Sequence, residues 1–368
     1  MVIGDILERN IWRYPERTAL VFENNRITFE EFGIRIYKFA NALTDLGLQK
    51  GEAIAFIFPH NTIQAQEITF TLTVTGMIIV PLNARFLNQE ILYLLDRCDV
   101  KALIFDETYS DLILSIASIT KKVKIFICIG SSLSSGMYDY ETLISESSPI
   151  KPPVDVREED IAALIHTSGT TGMPKEVIWT HKSWLSGSRE IVIKFQLTEK
   201  DRLLMFTPYF HIPFFWFNMA VYYMGGMVVF IREPNPKLIL KTIHDEGITT
   251  ISHFVPTTLS RILEFPDLTK YDLTTVRWYM YGGSPMPTPL LEKAIPELGN
   301  KFIQLYGFTE LAGCATALVP EDHIIERTKK EKGSSLSSCG KEMPGSDIRI
   351  VNSEGIPVDM GKEGEILY

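Results

Sequence analysis

Short, nearly unbroken apolar runs rich in Val, Ile and Phe alternate with helical stretches along most of this chain, and that rhythm constrains the fold more than any other feature. Ala53–Phe58, Met77–Pro81, Ala102–Phe105 and Lys124–Ile129 read as strands, with helices over Thr62–Thr75 and Gln89–Cys98 between them. A strand that is apolar on both faces needs cover on both faces, which a parallel sheet flanked by helices provides. Serines, glycines and prolines break the rhythm across Gly130–Pro153. It resumes with strands at Ile161–Ile165, Leu203–Phe206, Thr250–Phe254, Val276–Tyr281 and Phe302–Leu305, and helices at Lys182–Phe195, Lys237–Glu246 and Pro289–Leu298. The expected fold is α/β, with two doubly wound, mainly parallel sheets covered by helices. After about Gly333, Ile348–Val351, a turn at Asn352–Gly355 and Glu365–Tyr368 predict the start of a small antiparallel β-barrel-like unit. The expected division is a first α/β subdomain over 1–150, a second over 151–332 and the β unit over 333–368.

Charge narrows the function. Lys and Arg total 36 against 45 Asp and Glu, a net charge of −9. Lys329, Lys330 and Lys332 cluster, but Glu331 interrupts them. Without a basic stripe, nucleic acid is excluded as a main partner. Cys98, Cys128, Cys314 and Cys339 have neither C-x-x-C nor zinc-ligand spacing, so a reducing, cytoplasmic setting is expected. Met1–Asn10 carries Asp5 and Glu8 and lacks the basic-then-apolar order of a signal peptide. Phe214–Ile231 is long enough to raise the question of a membrane span. Asn218 and the Gly225-Gly226 break instead predict a buried helix turning into a buried strand.

The sharpest local feature is Ile165-His166-Thr167-Ser168-Gly169-Thr170-Thr171-Gly172-Met173-Pro174-Lys175. A buried strand runs into small and hydroxyl residues and ends on a lysine. Glycines let backbone approach an anion, hydroxyls and free N–H groups wrap phosphate oxygens, and Lys175 supplies a point charge. It is not the G-x-x-x-x-G-K-[ST] loop, because Pro174 precedes the lysine and no Ser or Thr follows it. A bare Gly/Ser/Thr turn is most often only a polar turn; the whole run, placed after a strand, selects the phosphate reading.

This run resembles the [YF]-T-S-G-T-T-G-x-P-K-G signature of the adenylate-forming superfamily, which includes acyl-CoA synthetases, luciferases and peptide-synthetase adenylation domains. His166 stands for the usual aromatic, and Glu176 for the usual glycine. A carboxylate facing the phosphates would be unfavourable, so Glu176 is expected to point to solvent. Gln304-Leu305-Tyr306-Gly307-Phe308-Thr309-Glu310 resembles [QN]-x-Y-G-x-T-E. There Gly307 permits a tight turn, Thr309 can bind a phosphate oxygen, Tyr306 can stack on a purine and Glu310 can hold Mg²⁺. Tyr281-Gly282-Gly283-Ser284-Pro285 resembles [SG]-G-[GA]-[AE]-P, which borders adenine and the acyl group. Pro208-Tyr209-Phe210-His211-Ile212-Pro213-Phe214 resembles P-x-F-H-x-x-G of acyl- and aryl-CoA synthetases. Ser252–Thr257 resembles the strand-to-helix junction beside the acyl pocket. Cys339-Gly340-Lys341 and Gly364-Glu365-Ile366 resemble elements of the small β unit.

The resemblance implies nucleotide contacts from Thr167, Ser168, Gly169, Thr170, Thr171, Gly172 and Lys175, and from Gly283, Ser284, Pro285, Gln304, Leu305, Tyr306, Gly307 and Thr309. It implies catalytic parts for Lys175, His211, Thr309 and Glu310, with Glu310 on the metal. The acyl wall would take His211, Phe214, Phe215, Val255 and Tyr281, then Gly282, Gly283, Gly307, Gly313 and Cys314. Phe214 stands where the family has glycine, which predicts a narrowed channel and compact or aromatic acids. Phe210–Phe217 holds no acid to pair with an α-ammonium group, and an unpaired buried ammonium costs several kcal/mol (order of magnitude); amino acids are therefore disfavoured.

The implied reaction consumes ATP with Mg²⁺, forms an acyl-AMP from a small carboxylic acid and passes the acyl group to coenzyme A. Two other readings stay open: transfer to a carrier-protein thiol or luciferase-like chemistry, and a nucleotide-binding scaffold without turnover. The chain stops at Tyr368, before the family's Y-x-T-G-D, hinge and C-terminal domain. A fragment that adenylates poorly alone is the expectation, and a homodimer is expected only by family analogy.

Overall fold

The protein is described by a computed structural model that covers residues 1–131, 134–167, 174–323 and 335–368. Helix α1 (Ile3–Arg13), strands β1 (Thr18–Phe22) and β2 (Asn25–Thr28), and helix α2 (Phe29–Asp45) come first. Then follow β3 (Ala53–Ile57), α3 (Ile63–Thr75), β4 (Ile78–Pro81), α4 (Asn88–Arg97), β5 (Val100–Asp106), α5 (Ser110–Ala117), β6 (Ile125–Ile129), β7 (Tyr138–Asp139) and α6 (Tyr140–Glu146). Strands β8 (Ile161–Thr167) and β9 (Lys175–Thr180) lead into α7 (His181–Phe195). Next are β10 (Arg202–Met205), α8 (Ile212–Met224), β11 (Met227–Phe230), α9 (Pro236–Glu246), β12 (Thr250–Phe254), α10 (Pro256–Leu263), β13 (Trp278–Gly282), α11 (Thr288–Leu298) and β14 (Phe302–Tyr306). Strands β15 (Thr316–Leu318), β16 (Lys341–Glu342), β17 (Arg349–Val351) and β18 (Glu365–Leu367) complete the order.

The strands form a nine-stranded sheet, β16-β15-β14-β13-β12-β10-β11-β1-β2, and a seven-stranded sheet, β7-β6-β5-β3-β4-β8-β9. Their central pairings are parallel; β1–β2, β8–β9, β14–β15 and β15–β16 are antiparallel edges. The expected α/β class holds, and β17–β18 forms the separate antiparallel pair foreseen near the end. The division at residue 150 does not. Leu20 of β1 pairs with Val228, so the N-terminal hairpin belongs to the nine-stranded sheet. Ile79 of β4 pairs with Ala163, so β8 and β9 extend the other sheet. Each sheet takes strands from both sides of the proposed boundary.

Side-chain alternation builds the layers. Ile54 and Phe56 of β3 join a central cluster shared by both sheets. Ala53, Ala55 and Ile57 join another with Leu94 of α4 and Ile113 of α5. On β10, Leu203 and Met205 face the central layer, and Leu204 packs with Ile239 of α9 and Leu291 of α11. Helices α3 and α8 lie in that middle layer and are buried nearly all round, which is why neither shows a polar stripe. The Phe214–Ile231 run is α8 followed by β11, turned by Gly225 at φ 84°. Among the described residues no helix is long and apolar enough to cross a membrane.

Two polar side chains tie the sheets together at one end. The Tyr209 hydroxyl donates to the Leu82 carbonyl at 2.7 Å and accepts from the Phe58 N–H at 2.9 Å. Asn61 Nδ2 donates to the Thr207 carbonyl at 2.9 Å. The residues just past β3, β4 and β10 are thereby held side by side.

Candidate functional site

At that end lies a cavity of about 1000 Å³. Its walls come from Pro59–Asn61 after β3, Ala84 and Arg85 after β4, and Tyr109 after β5. The other sheet contributes Phe206, Phe210, His211 and Pro213 after β10, and Arg232 after β11. His253 and Val255 stand at the end of β12, Gly282 to Ser284 at the end of β13, and Leu305 and Gly307 at the end of β14. Ligands of open parallel sheets bind at the carboxyl ends of the strands, and here two sheets aim those ends at one space.

The lining carries no carboxylate among the described residues, but two arginines and three imidazoles. Burial, and then the neighbouring His211, push the His253 imidazole down to about 4. Burial and Arg85 lower His211, and burial and Arg232 lower His60. Each ring then holds neutral at physiological pH with both donor and acceptor capacity. An incoming carboxylate meets cations and neutral dipoles and no like charge.

The glycine-rich run lies between two strands. Strands β8 and β9 pair antiparallel, with Thr167 opposite Lys175, so the run's two ends are neighbours. Thr167 is half-buried and Lys175 exposed. Ser168, Gly169, Thr170, Thr171 and Gly172 lie outside the described residues. Glu176 does not point to solvent: it is 15% exposed and lies 3.5 Å from Arg97. In a two-residue strand period it shares the face opposite to Lys175, so its charge is directed toward α4.

The hairpin carries the Tyr306–Glu310 segment beside it. Trp179 Nε1 of β9 donates to the Thr309 carbonyl at 2.8 Å, and the turn Thr309–Leu311 packs on both β8 and β9. Trp179 is itself fixed edge-on against Phe215, ring centroids 6.1 Å apart. Thr309 is buried and Glu310 exposed. A Cβ on Gly307 would come within 2.7 Å of the Gly313 carbonyl, so glycine lets this turn fold back on itself. Helix α7 seats against the same turn: a Cβ on Gly187 would sit 2.2 Å from the Ala312 carbonyl oxygen. Gly187→Ala is expected to displace the turn and cost about 1–3 kcal/mol by overpacking. Urea unfolding checks this, and a variant as stable as its parent would show that α7 does not seat the turn.

The structure separates the remaining sequence candidates. His211, Val255, Gly282, Gly283, Ser284, Leu305 and Gly307 reach the cavity wall. Gly282 is required first by the sheet, since a Cβ there would meet the Leu305 carbonyl at 2.4 Å. Phe214 is not on the wall. Its ring is fully buried and stacks on Phe230 at 5.5 Å, so it does not narrow the cavity. Phe215 packs under Trp184, whose indole N–H donates to its carbonyl at 3.2 Å. Tyr281 points into the core and hydrogen-bonds His323 at 2.9 Å. Gly313 lies against Gly187, and Cys314 is a buried thiol pushed well up by burial. Gln304 and Tyr306 are half-buried, Tyr306 facing a smaller cavity of about 330 Å³ with Lys341 and Ile350; Pro285 is exposed. Sequence reasoning missed His60, Asn61, Arg85 and Trp216, and placed His253 beside the acyl pocket without giving it a role. Their only signal was position: all but Trp216 lie at or just past the end of an apolar strand run.

Comparison with known proteins agrees with this architecture. The chain is 27% identical to a medium-chain-fatty-acid–CoA ligase of Ectopseudomonas oleovorans, covering 100% of this chain and 70% of that protein. It is also 27% identical to the fatty acid–[acyl-carrier-protein] ligase ScoC of Streptomyces coeruleorubidus, covering 96% of this chain and 66% of that one. The N-terminal domain of FACL13 from Mycobacterium tuberculosis superposes with a TM-score of 0.88 at 23% identity, over 99% of this chain and 88% of that domain. The model of the family described as AMP-binding enzyme matches residues 7–368. That match takes in both sheets, the hairpin and the turn beside it, and the chain belongs to the AMP-binding enzyme family.

Proposed function

We propose that this protein activates a carboxylic acid with ATP and transfers the acyl group to the thiol of coenzyme A. The observation that carries the reading is the Trp179–Thr309 hydrogen bond. It holds the turn that carries Glu310 against strand β9, which begins at Lys175; Leu305 and Gly307, just before that turn, line the cavity, whose lining carries no carboxylate among the described residues. A carboxylate oxygen would bond to the α-phosphorus of ATP, pyrophosphate would leave, and an acyl-AMP would remain. The thiol sulfur would then bond to the acyl carbon, and AMP would leave with the bonding pair. Neither step needs covalent help from the protein, so positioning and charge neutralisation carry the catalysis.

The geometry supports the following individual parts. Lys175, exposed beside Thr167, would neutralise phosphate charge, with Thr167 and Thr309 hydroxyls as partners. Neutral His211 would orient the acid's carboxylate without trapping it in an ion pair. The residues fit Mg²⁺: the cation keeps substrate phosphates and water as ligands and asks the protein for one or two carboxylates, and Glu310 is an exposed carboxylate on this turn. Bound there, Mg²⁺ would offset the charge of the leaving pyrophosphate.

The test is ATP–pyrophosphate exchange by the full-length protein with a panel of carboxylic acids, followed by product analysis with and without coenzyme A. Acid-dependent exchange and a CoA thioester are expected. Exchange without a thioester would move the acceptor to a carrier protein, the acceptor named for the Streptomyces relative. No exchange with any acid would leave only a nucleotide-binding scaffold.

A further inference from the structure

At the end of β12 one residue stands in a conformation that its side chain disfavours. His253 takes φ 59°, in the left-handed region that favours glycine. The β12–β13 register shifts between Ile251 and Phe254, so the strained residue sits in an irregularity of the strand pairing. Irregularities of this kind re-aim a side chain and are frequent next to active sites. Here the half-buried ring forms part of the wall of the large cavity.

What the ring touches is specific. A Cβ on Gly283 would lie 2.8 Å from His253 Nε2, and one on Gly282 would lie 3.4 Å from its Cε1. The imidazole therefore rests against the paired glycines that end β13. His211 is near enough for its charge to depress that of His253, and it lines the same cavity. His253 thus neighbours both the imidazole proposed to orient the carboxylate and Gly283, which the resemblance gives to nucleotide and acyl group alike.

The ring nitrogens do nothing for the fold. Among the described residues neither hydrogen-bonds a protein group, and neither is a buried atom sealed from solvent. A structural histidine uses its nitrogens: His323 bonds the Tyr281 hydroxyl at 2.9 Å and the Val319 carbonyl at 2.8 Å. Backbone strain kept at a cavity wall, with a donor and an acceptor both unused, points to a ligand.

Resting on the function proposed above, we infer that His253 is a second imidazole for the acid: its ring N–H donates to a carboxyl oxygen where the acid joins the nucleotide, and the strained backbone brings it there. A neutral ring has one donor to give. The oxygen it meets is the one that stays on the acyl group as a carbonyl after adenylation. AMP alone has no such oxygen.

Calorimetry on the full-length protein tests this with AMP and two unreactive acyl-adenylate mimics, benzoyl-sulfamoyl adenosine and octanoyl-sulfamoyl adenosine. His253→Gly is expected to weaken the tighter-binding mimic by about five- to tenfold, the effect of one hydrogen bond, and to leave AMP within about twofold. Its unfolding midpoint should hold or rise, because glycine takes this backbone conformation without strain. His253→Asn should recover part of the lost affinity, since asparagine tolerates the left-handed region and its amide donates. Unchanged affinity of His253→Gly for the mimic would overturn the inference, because no contact was lost. Equal losses for AMP and mimic with a lowered midpoint would also overturn it, because they mark a ring that only packs. Failure of the adenylation reading shows separately, in the parent protein: neither mimic would bind more tightly than AMP, and this inference would fall with it.

Discussion

Glu310→Ala is expected to lower acid-dependent pyrophosphate exchange by about 100- to 1000-fold, the size of effect seen when one preorganised electrostatic contact to a transition state is removed. Stability should barely change. Glu310 is exposed on a one-turn 3₁₀ helix and makes no ion pair among the described residues. Surface substitutions of that kind stay within about 0.5 kcal/mol. The Mg²⁺ concentration for half-maximal exchange should rise, because the variant would lose the proposed ligand and not the fold. Asp347→Ala, which breaks the exposed Arg349–Asp347 pair at 3.1 Å, is the control and should leave exchange unchanged. Wild-type exchange by Glu310→Ala would remove the metal assignment and with it the turn's part in the mechanism.

The largest stability effect is expected at Arg35. Glu67 of α3 is fully buried, and its carboxylate is held by Arg35 of α2 and by the Tyr140 hydroxyl at 2.8 Å. Arg35 also reaches Glu141 at 2.7 Å, so one guanidinium joins α2, α3 and α6. Arg35→Ala would leave a buried carboxylate with a single neutral donor, a loss of about 3–5 kcal/mol. Water already reaches the half-buried arginine, which places the expectation toward the lower end. The double change Arg35→Met with Glu67→Leu should recover part of it, since two apolar side chains need no partner while the buried Tyr140 hydroxyl loses its acceptor. Urea unfolding of the single and double variants decides the matter. A loss under about 1 kcal/mol for Arg35→Ala would class the pair with exposed ion pairs, which contribute that little.

Much of the fold was legible because buried parallel strands are uniformly apolar. The runs at Ala53–Phe58 and Phe302–Leu305 became β3 and β14 with ends shifted by about a residue. Strand β9 was not legible. Lys175–Thr180 is an edge strand with exposed and half-buried positions, so its composition looks like loop. Nor was the partition of the chain between sheets, because β1 finds β11 across most of the chain and no local pattern encodes that partner.

The candidate site divides along the same line. The Gly, Ser, Thr and Glu residues near Thr167–Lys175 and Tyr306–Glu310 stand out in the sequence because such chemistry is rare at the ends of apolar strands. The cavity wall did so only in part. Phe214 and Trp216 are two residues apart on α8, which at 3.6 residues per turn puts them roughly 200° apart around the helix. The rotation of α8 against Phe230 and Trp184 sent Phe214 into the core and Trp216 to the cavity. Local chemistry, carried by residue type and spacing, was therefore determined by the sequence alone. Which side chains share one cavity was decided only in three dimensions, because burial selects one face of each helix and one partner for each strand, and both choices depend on residues far away along the chain.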